Sequence, residues 1–276
     1  MPPTESAPAP TGTLAAGPTE ADKTETALRL RRIMLAFFSY HDSNQRFPIG
    51  IAGPNGQLGL SWRVALLPLL GEEEAKLYQQ FNTKEPWDSE HNKKLIAKMP
   101  KVFASPGTAA ASGKTYFRSF AGPRAFIPAP KGKEAPPGAT QPLGQTVRGR
   151  WMPDFTDGTS NTLAVVESSE AVEWTKPDDM TYLGEGAADA DAALPPVPKL
   201  GGVYPGGFYA AMADGTVRFF PNTLSEKDLR ALITVNGGDT LGSEAVAILR
   251  APPQKVLDPV RPAPARGSST KRTTSK

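Results

Sequence analysis

The sequence predicts an α+β domain: one long N-terminal helix packed on an antiparallel sheet, with loop inserts on the outside and a C-terminal helix. Three observations carry this reading. Apolar residues recur at three- and four-residue spacing between Thr26 and Asn44. After Pro106 the texture changes to short β-like runs separated by Gly and Pro. Asp214-Gly215 then stands between two alternating apolar runs, the strongest short-range signal for a hairpin. Helices first and strands later argue for α+β rather than an alternating α/β chain.

Each element follows from local chemistry. Residues 1–26 are rich in Pro, Ala, Thr and Glu and nearly lack large apolar side chains, so burial cannot offset the entropy of ordering them; they read as a disordered stem. Leu30, Ile33, Met34, Phe37, Phe38 and His41 form the stripe of the first helix, with Arg29, Arg31 and Arg32 off it. Asp42, Ser43 and Asn44 with Phe47-Pro48 end it. Leu60–Leu70 is a buried apolar segment that Pro68 divides, followed by helices expected over Glu72–Phe81 and, capped by Asp88 or Ser89, over Glu90–Met99. Strands are expected over Thr115–Phe120, Ala125–Pro128 and Leu163–Glu167, with a Pro, Gly and Lys loop at 129–149 and a second loose insert at Pro177–Leu200. The hairpin centred on Asp214-Gly215 is expected to be a type I′ turn, with positive φ at both central residues. Ser225-Glu-Lys-Asp228 is a capping-box variant opening a last helix that Gly237-Gly238 terminates. The domain is thus expected to span 27–250, with 251–276 as a disordered basic tail.

Charge and composition exclude several classes. The formal net charge is +3, but the tail alone holds six Lys and Arg against Asp258, so the body is slightly acidic and carries no basic stripe for phosphates; no nucleic-acid partner is expected from it. Cysteine is absent, which removes disulfides and thiolate chemistry. The apolar run Ile33–Phe38 is far short of the roughly 20 residues of a membrane helix. No Lys or Arg precedes Lys23 and residues 1–20 hold no apolar core, so no secretory signal is read there.

Chemistry-bearing patterns are few. There is no nucleophile elbow, phosphate loop or dinucleotide fingerprint. The two histidines, His41 and His91, each lie beside acids or amides without a metal-ligand spacing between them; together with neighbouring acids they define the one enzymatic alternative, a metal-assisted hydrolase. Asp157, Thr159, Ser160 and Asn161 form an oxygen-rich turn that would offer ligands to Ca²⁺ if Asp154 or Asp214 came near; otherwise no cofactor is expected. Trp87, Trp151, Trp174 and Tyr182 are scattered aromatics that a glycan-binding surface would use.

Several segments carry a family resemblance: Leu30 to Pro48, with His41-Asp42; Ser61-Trp-Arg-Val-Ala-Leu-Leu-Pro; Glu85-Pro-Trp-Asp-Ser-Glu-His-Asn-Lys; Asp157-Gly158-Thr-Ser160-Asn161-Thr ending in Glu167; Gly-Gly-Phe with Ala213-Asp214-Gly215-Thr-Val-Arg-Phe; and Leu229 to Gly238. In this order they resemble a large bacterial family of pilin-like proteins, the domain of unknown function 1559, often labelled prepilin-type and carrying a signature of His, nine residues, Asp-Gly. The resemblance implies a pilin or pseudopilin-like fold. Tyr204 stands where the signature has His, so a role needing imidazole there is absent from this chain. Relatives typically begin with a processed, membrane-inserted helix, where this chain has its Pro/Ala/Thr stem. What the resemblance implies is a non-enzymatic cell-envelope or surface module contacting protein partners or extracellular glycans; the expected location is cytoplasmic instead if Met1 is the genuine start with no export signal.

Overall fold

The computed structural model describes residues 17–108, 111–129, 141–184 and 194–253; most of the expected stem, and the basic tail from residue 254 on, lie outside the described residues. Helix α1 (Glu20–Asn44) begins at Glu20 rather than Thr26, so the expected stem boundary at residue 26 falls inside it. The reason is a capping box: Asp22 N–H donates to Thr19 Oγ1 at 3.2 Å, and Thr19 N–H donates to Asp22 Oδ2 at 2.8 Å. The helix ends where Gln45 turns left-handed at φ 59° and its N–H bonds His41 O.

Strands β1 (Pro48–Ala52) and β2 (Leu58–Ser61) follow, then short helices α2 (Trp62–Ala65), α3 (Leu67–Leu70) and α4 (Glu72–Tyr78). Pro68 sits in the first turn of α3, where its missing N–H has no intrahelical partner to lose. The helix expected over Glu90–Met99 is a 3₁₀ stretch, Asn92–Lys98. Its first residue is a buried hub: Asn92 Nδ2 donates to the carbonyls of Asn82, Glu85 and Pro86, and its Oδ1 accepts from Asn82 N–H.

The remaining elements are β3 (Lys114–Arg118), β4 (Phe120–Gly122), β5 (Ile127–Pro128), β6 (Thr146–Arg148), β7 (Leu163–Glu173), β8 (Met180–Thr181), β9 (Gly207–Met212), β10 (Val217–Pro221), α5 (Glu226–Ile233) and α6 (Ser243–Arg250). A four-stranded antiparallel sheet runs β10-β9-β7-β3, an antiparallel three-stranded sheet runs β2-β1-β6, and a small parallel set runs β5-β4-β8. Two strands arise inside expected loops. β6 pairs with β1 and buries Val147, and β8 pairs with β4 and buries Met180.

The four-stranded sheet is covered on both faces. Along β9, Tyr209 and Ala211 point into one core with Leu30, Met34 and Phe37 of α1, while Phe208, Ala210 and Met212 join Leu232 and Ile233 of α5 in the other. This explains why β9 is buried at every position although its pleat alternates. Phe37 is the centre of the α1 contact, fully buried with its ring 5.1 Å from Trp62, 5.5 Å from Phe126 and 6.2 Å from Phe47.

Candidate functional site

The residues singled out in the sequence divide into two groups by position. The first is a buried polar cluster between α1 and the sheet. Tyr204 is 2% exposed; its hydroxyl shares a 2.7 Å hydrogen bond with Thr26 Oγ1 and lies 3.1 Å from the carbonyl of Asp22, so it holds the first turns of α1 to the approach to β9. Its ring stands edge-on to Tyr209 at 5.2 Å, and burial pushes the phenol up to about 12. Glu167, on the central strand β7, is 0% exposed. Its Oε2 accepts from Tyr209 N–H at 2.8 Å, while Oε1 is buried with no hydrogen-bond partner. Burial pushes this carboxyl up to about 8, against the smaller opposing pull of the Tyr209 N–H, and so favours its protonated form near neutral pH.

The second group forms the turn that joins the hairpin to the end of α5. Asp157 accepts from Gly237 N–H at 2.5 Å and Gly238 N–H at 2.9 Å, tying two adjacent backbone amides after α5. Gly158 takes φ 96°, Asn161 Nδ2 donates back to Asp157 O at 2.8 Å, and Ser160 is exposed. Asp214 N–H donates to Thr159 O, docking the hairpin on this turn. Asp214 Oδ1 accepts from both the N–H and the hydroxyl of Thr216, at 2.8 and 2.7 Å.

The hairpin is present but its turn differs from the expected type I′. Only Gly215 has positive φ, at 83°; Gly215 N–H donates to Met212 O and Met212 N–H to Thr216 O, the pattern of a type I turn closed by a glycine bulge. Asp214 therefore needs no left-handed conformation, and its side chain locks the turn instead. For the calcium reading, Asp154 Oδ2 accepts from Trp151 N–H, Asp157 is bound to two amides and Asp214 to Thr216. Among the described residues no three His, Asp or Glu side chains gather in a metal-binding group.

With this geometry in place, comparison with known families gives one match, to the family described as a protein of unknown function, DUF1559, over residues 24–195. The chain belongs to the DUF1559 family. No curated protein and no solved structure matches it. The match takes in α1 from residue 24 on, Asp157 and Glu167 and stops before Tyr204 and the Asp214-Gly215 hairpin.

The other sequence candidates are dispersed in this DUF1559 chain. His41 packs on Phe47 with ring centres 4.8 Å apart and the rings tilted by 40°, its Nε2 buried and unpartnered, Asp42 is exposed beside it, and exposed His91 places its Nε2 2.7 Å from Gln80 O. Each histidine is engaged locally, on a different part of the chain. The four aromatics also separate. Trp174 and Tyr182 are buried, against the expectation of surface rings: Trp174 stacks on Phe103 and donates from Nε1 to Ile96 O, and Tyr182 packs on Phe120. Trp87 is half-buried under Lys176, and Trp151 is 45% exposed.

Sequence reasoning passed over a buried charge. Arg63 is 0% exposed, donates from Nε and Nη2 to Phe117 O and from Nη1 to Ser61 Oγ, and lies 4.4 Å over the Trp62 ring. Asp179 accepts from Trp62 Nε1 and Ser119 N–H nearby. Burial lowers the guanidinium to about 10 and raises the Asp179 carboxyl. The signal was there: an Arg inside an apolar run is stable in a core only with partners.

Proposed function

We propose that this chain is a non-enzymatic interaction module of the cell envelope that docks a protein partner through the surface around Trp151. One observation carries the reading. Trp151 and Met152 are consecutive and exposed, 45% and 37%, and the Arg46 guanidinium lies 5.8 Å over the Trp151 ring. Trp, Met and Arg are enriched at protein interfaces, and Trp and Arg are among the residue types that concentrate binding energy there. The patch is also held in place: Trp151 N–H bonds Asp154, Arg46 Nη1 donates to Gly149 O, and Phe47 N–H donates to Arg150 O beside it. A fixed surface loses less entropy on binding. Glu167 through Oε2, and Tyr204, Asp157 and Asp214, by contrast, form hydrogen bonds within the fold.

The test is photo-crosslinking in the native cell from a reactive residue placed at position 152 of the full chain. A single envelope protein adduct, lost when Trp151 is replaced by Ala, is the expected result. No protein adduct, with retention on an immobilised envelope polysaccharide that Trp151→Ala abolishes, would replace the protein partner with a glycan. An adduct indifferent to Trp151→Ala would place the contact elsewhere.

A further inference from the structure

A different face of the molecule carries an arrangement that this reading does not use. On α1, Leu28, Arg31, Arg32 and Leu35 share one side at three- and four-residue spacing. Leu35 is 55% exposed, the largest exposure among the large apolar side chains of the described residues. These four residues, with Lys101 and Val102, line a hollow of about 410 Å³ whose remaining lining residues, Glu25 and Arg29, pair with each other at 2.8 Å. Neither the Arg31 nor the Lys101 side chain has an ion-pair or hydrogen-bond partner among the described residues. This half of the face is apolar and positively charged.

The adjoining half is apolar and negatively charged. Leu69 in α3 is 39% exposed, and Glu72, Glu73 and Glu74 follow it in the first turn of α4. Glu72 and Glu73 are each 83% exposed and share one cation, Lys76, at 2.9 Å, which leaves a net negative charge there. Acidic residues suit a helix N-terminus. That accounts for their presence in the first turn, but not for an exposed leucine beside them. Arg32 joins the two halves: its Nη2 donates to Leu70 O and lies 3.2 Å from Glu74 Oε1.

A surface with a basic apolar half next to an acidic apolar half is complementary to itself under a two-fold rotation. We propose that α1, α3 and the start of α4 form an isologous interface with a second copy of this chain. Arg31 and Lys101 of each copy meet Glu72 and Glu73 of the other, and Leu35 and Leu69 are covered together. Solvent-screened Lys76 contacts are weak enough to be exchanged for the intermolecular ones. The inference does not depend on the Trp151 surface, and either can fail alone.

Sedimentation equilibrium of the full chain over a concentration series tests it. The expected result is a monomer–dimer equilibrium, weakened about ten-fold or more between about 50 mM and about 500 mM salt as screening shortens the reach of the charges. Leu35→Glu should abolish the dimer while leaving the melting temperature unchanged, because the side chain is exposed. Arg31→Glu alone and Glu73→Arg alone should each weaken it. Both together should restore it, since the swapped charges still face one another across the two-fold axis. A chain that stays monomeric at the highest concentration overturns the proposal, as does a dimer that survives Leu35→Glu. Single reversals that weaken association with no recovery in the double variant overturn the pairing of the two halves.

Discussion

Glu167→Gln isolates the energetic cost of the buried carboxyl. The ordinary glutamate value is 4.5 and burial on β7 raises it to about 8, so between those limits the unfolded chain has released a proton that the folded chain retains. Stability therefore falls as pH rises through this window, by about 1.4 kcal/mol per unit at most. The full window sets a ceiling of about 5 kcal/mol, and the effective dielectric of real interiors reduces the realistic loss by pH 8 to a few kcal/mol. Gln keeps the shape and the oxygen that accepts from Tyr209 N–H at 2.8 Å, but it has no proton to lose. Urea unfolding of both chains from pH 5 to pH 9 reads the difference. The two should be close at pH 5, with the Gln chain the more stable by a growing margin above pH 6. A parent chain that gains stability relative to Glu167→Gln with rising pH would mean that the carboxylate is the favoured buried form, and the reasoning fails. A constant offset at all pH values would mean that the substitution acts only through packing.

Four further outcomes follow from the same contacts. Phe37→Ala should cost about 3–5 kcal/mol, because the fully buried ring leaves a cavity between Trp62, Phe126 and Phe47; an unchanged melting temperature would show that α1 is not packed there. Tyr204→Phe should cost about 1–3 kcal/mol by leaving buried Thr26 Oγ1 without its 2.7 Å partner, read by urea unfolding near neutral pH. Gly215→Val should destabilise by more than about 1 kcal/mol, since φ is 83° and a Cβ there would stand 2.8 Å from the Phe38 ring; a neutral effect would refute the glycine bulge. Asp214→Asn should stay within about 0.5 kcal/mol, as an amide oxygen can accept the same two Thr216 bonds, and melting should be identical with calcium or chelator; a chelator effect that the substitution removes would revive the ion.

The first helix, the division of Leu60–Leu70 at Pro68 and the Asp-Gly hairpin were legible because each is written in local pattern. What escaped was written in distant partners. β1 contains Pro48 and Gly50, both poor strand residues, and is buried at all five positions, so it has neither propensity nor alternation to announce it. Its strand character comes from β2 on one side and from β6, about a hundred residues later, on the other. β6 itself lies at the end of a Pro- and Gly-rich stretch whose composition reads as loop. The earlier start of α1 was legible in principle, since Thr19 and Asp22 have capping-box spacing, but the polar composition around them outweighed it.

The candidate site illustrates why polar patterns in a sequence are ambiguous between chemistry and architecture. Asp157, Glu167, Tyr204 and Asp214 stand out as polar residues beside apolar runs, the setting in which a catalytic group would also be found. Each closes a contact the backbone requires. Asp157 takes the amides of Gly237 and Gly238, Glu167 takes Tyr209 N–H, Tyr204 reaches the α1 residues Asp22 and Thr26, and Asp214 fixes Thr216. Three of the four join segments more than 40 residues apart, a relation that no local window displays. A buried donor or acceptor left unmatched costs more than an average hydrogen bond contributes, so such groups must be placed where a partner waits. Among these four residues the exception is Glu167 Oε1, which has none. A carboxyl kept neutral by burial tolerates this, because an unpaired neutral oxygen costs far less than an unpaired charge. Ionising Glu167 in this setting costs stability rather than contributing it, which is why the pH dependence of stability is the sharpest probe of the cluster.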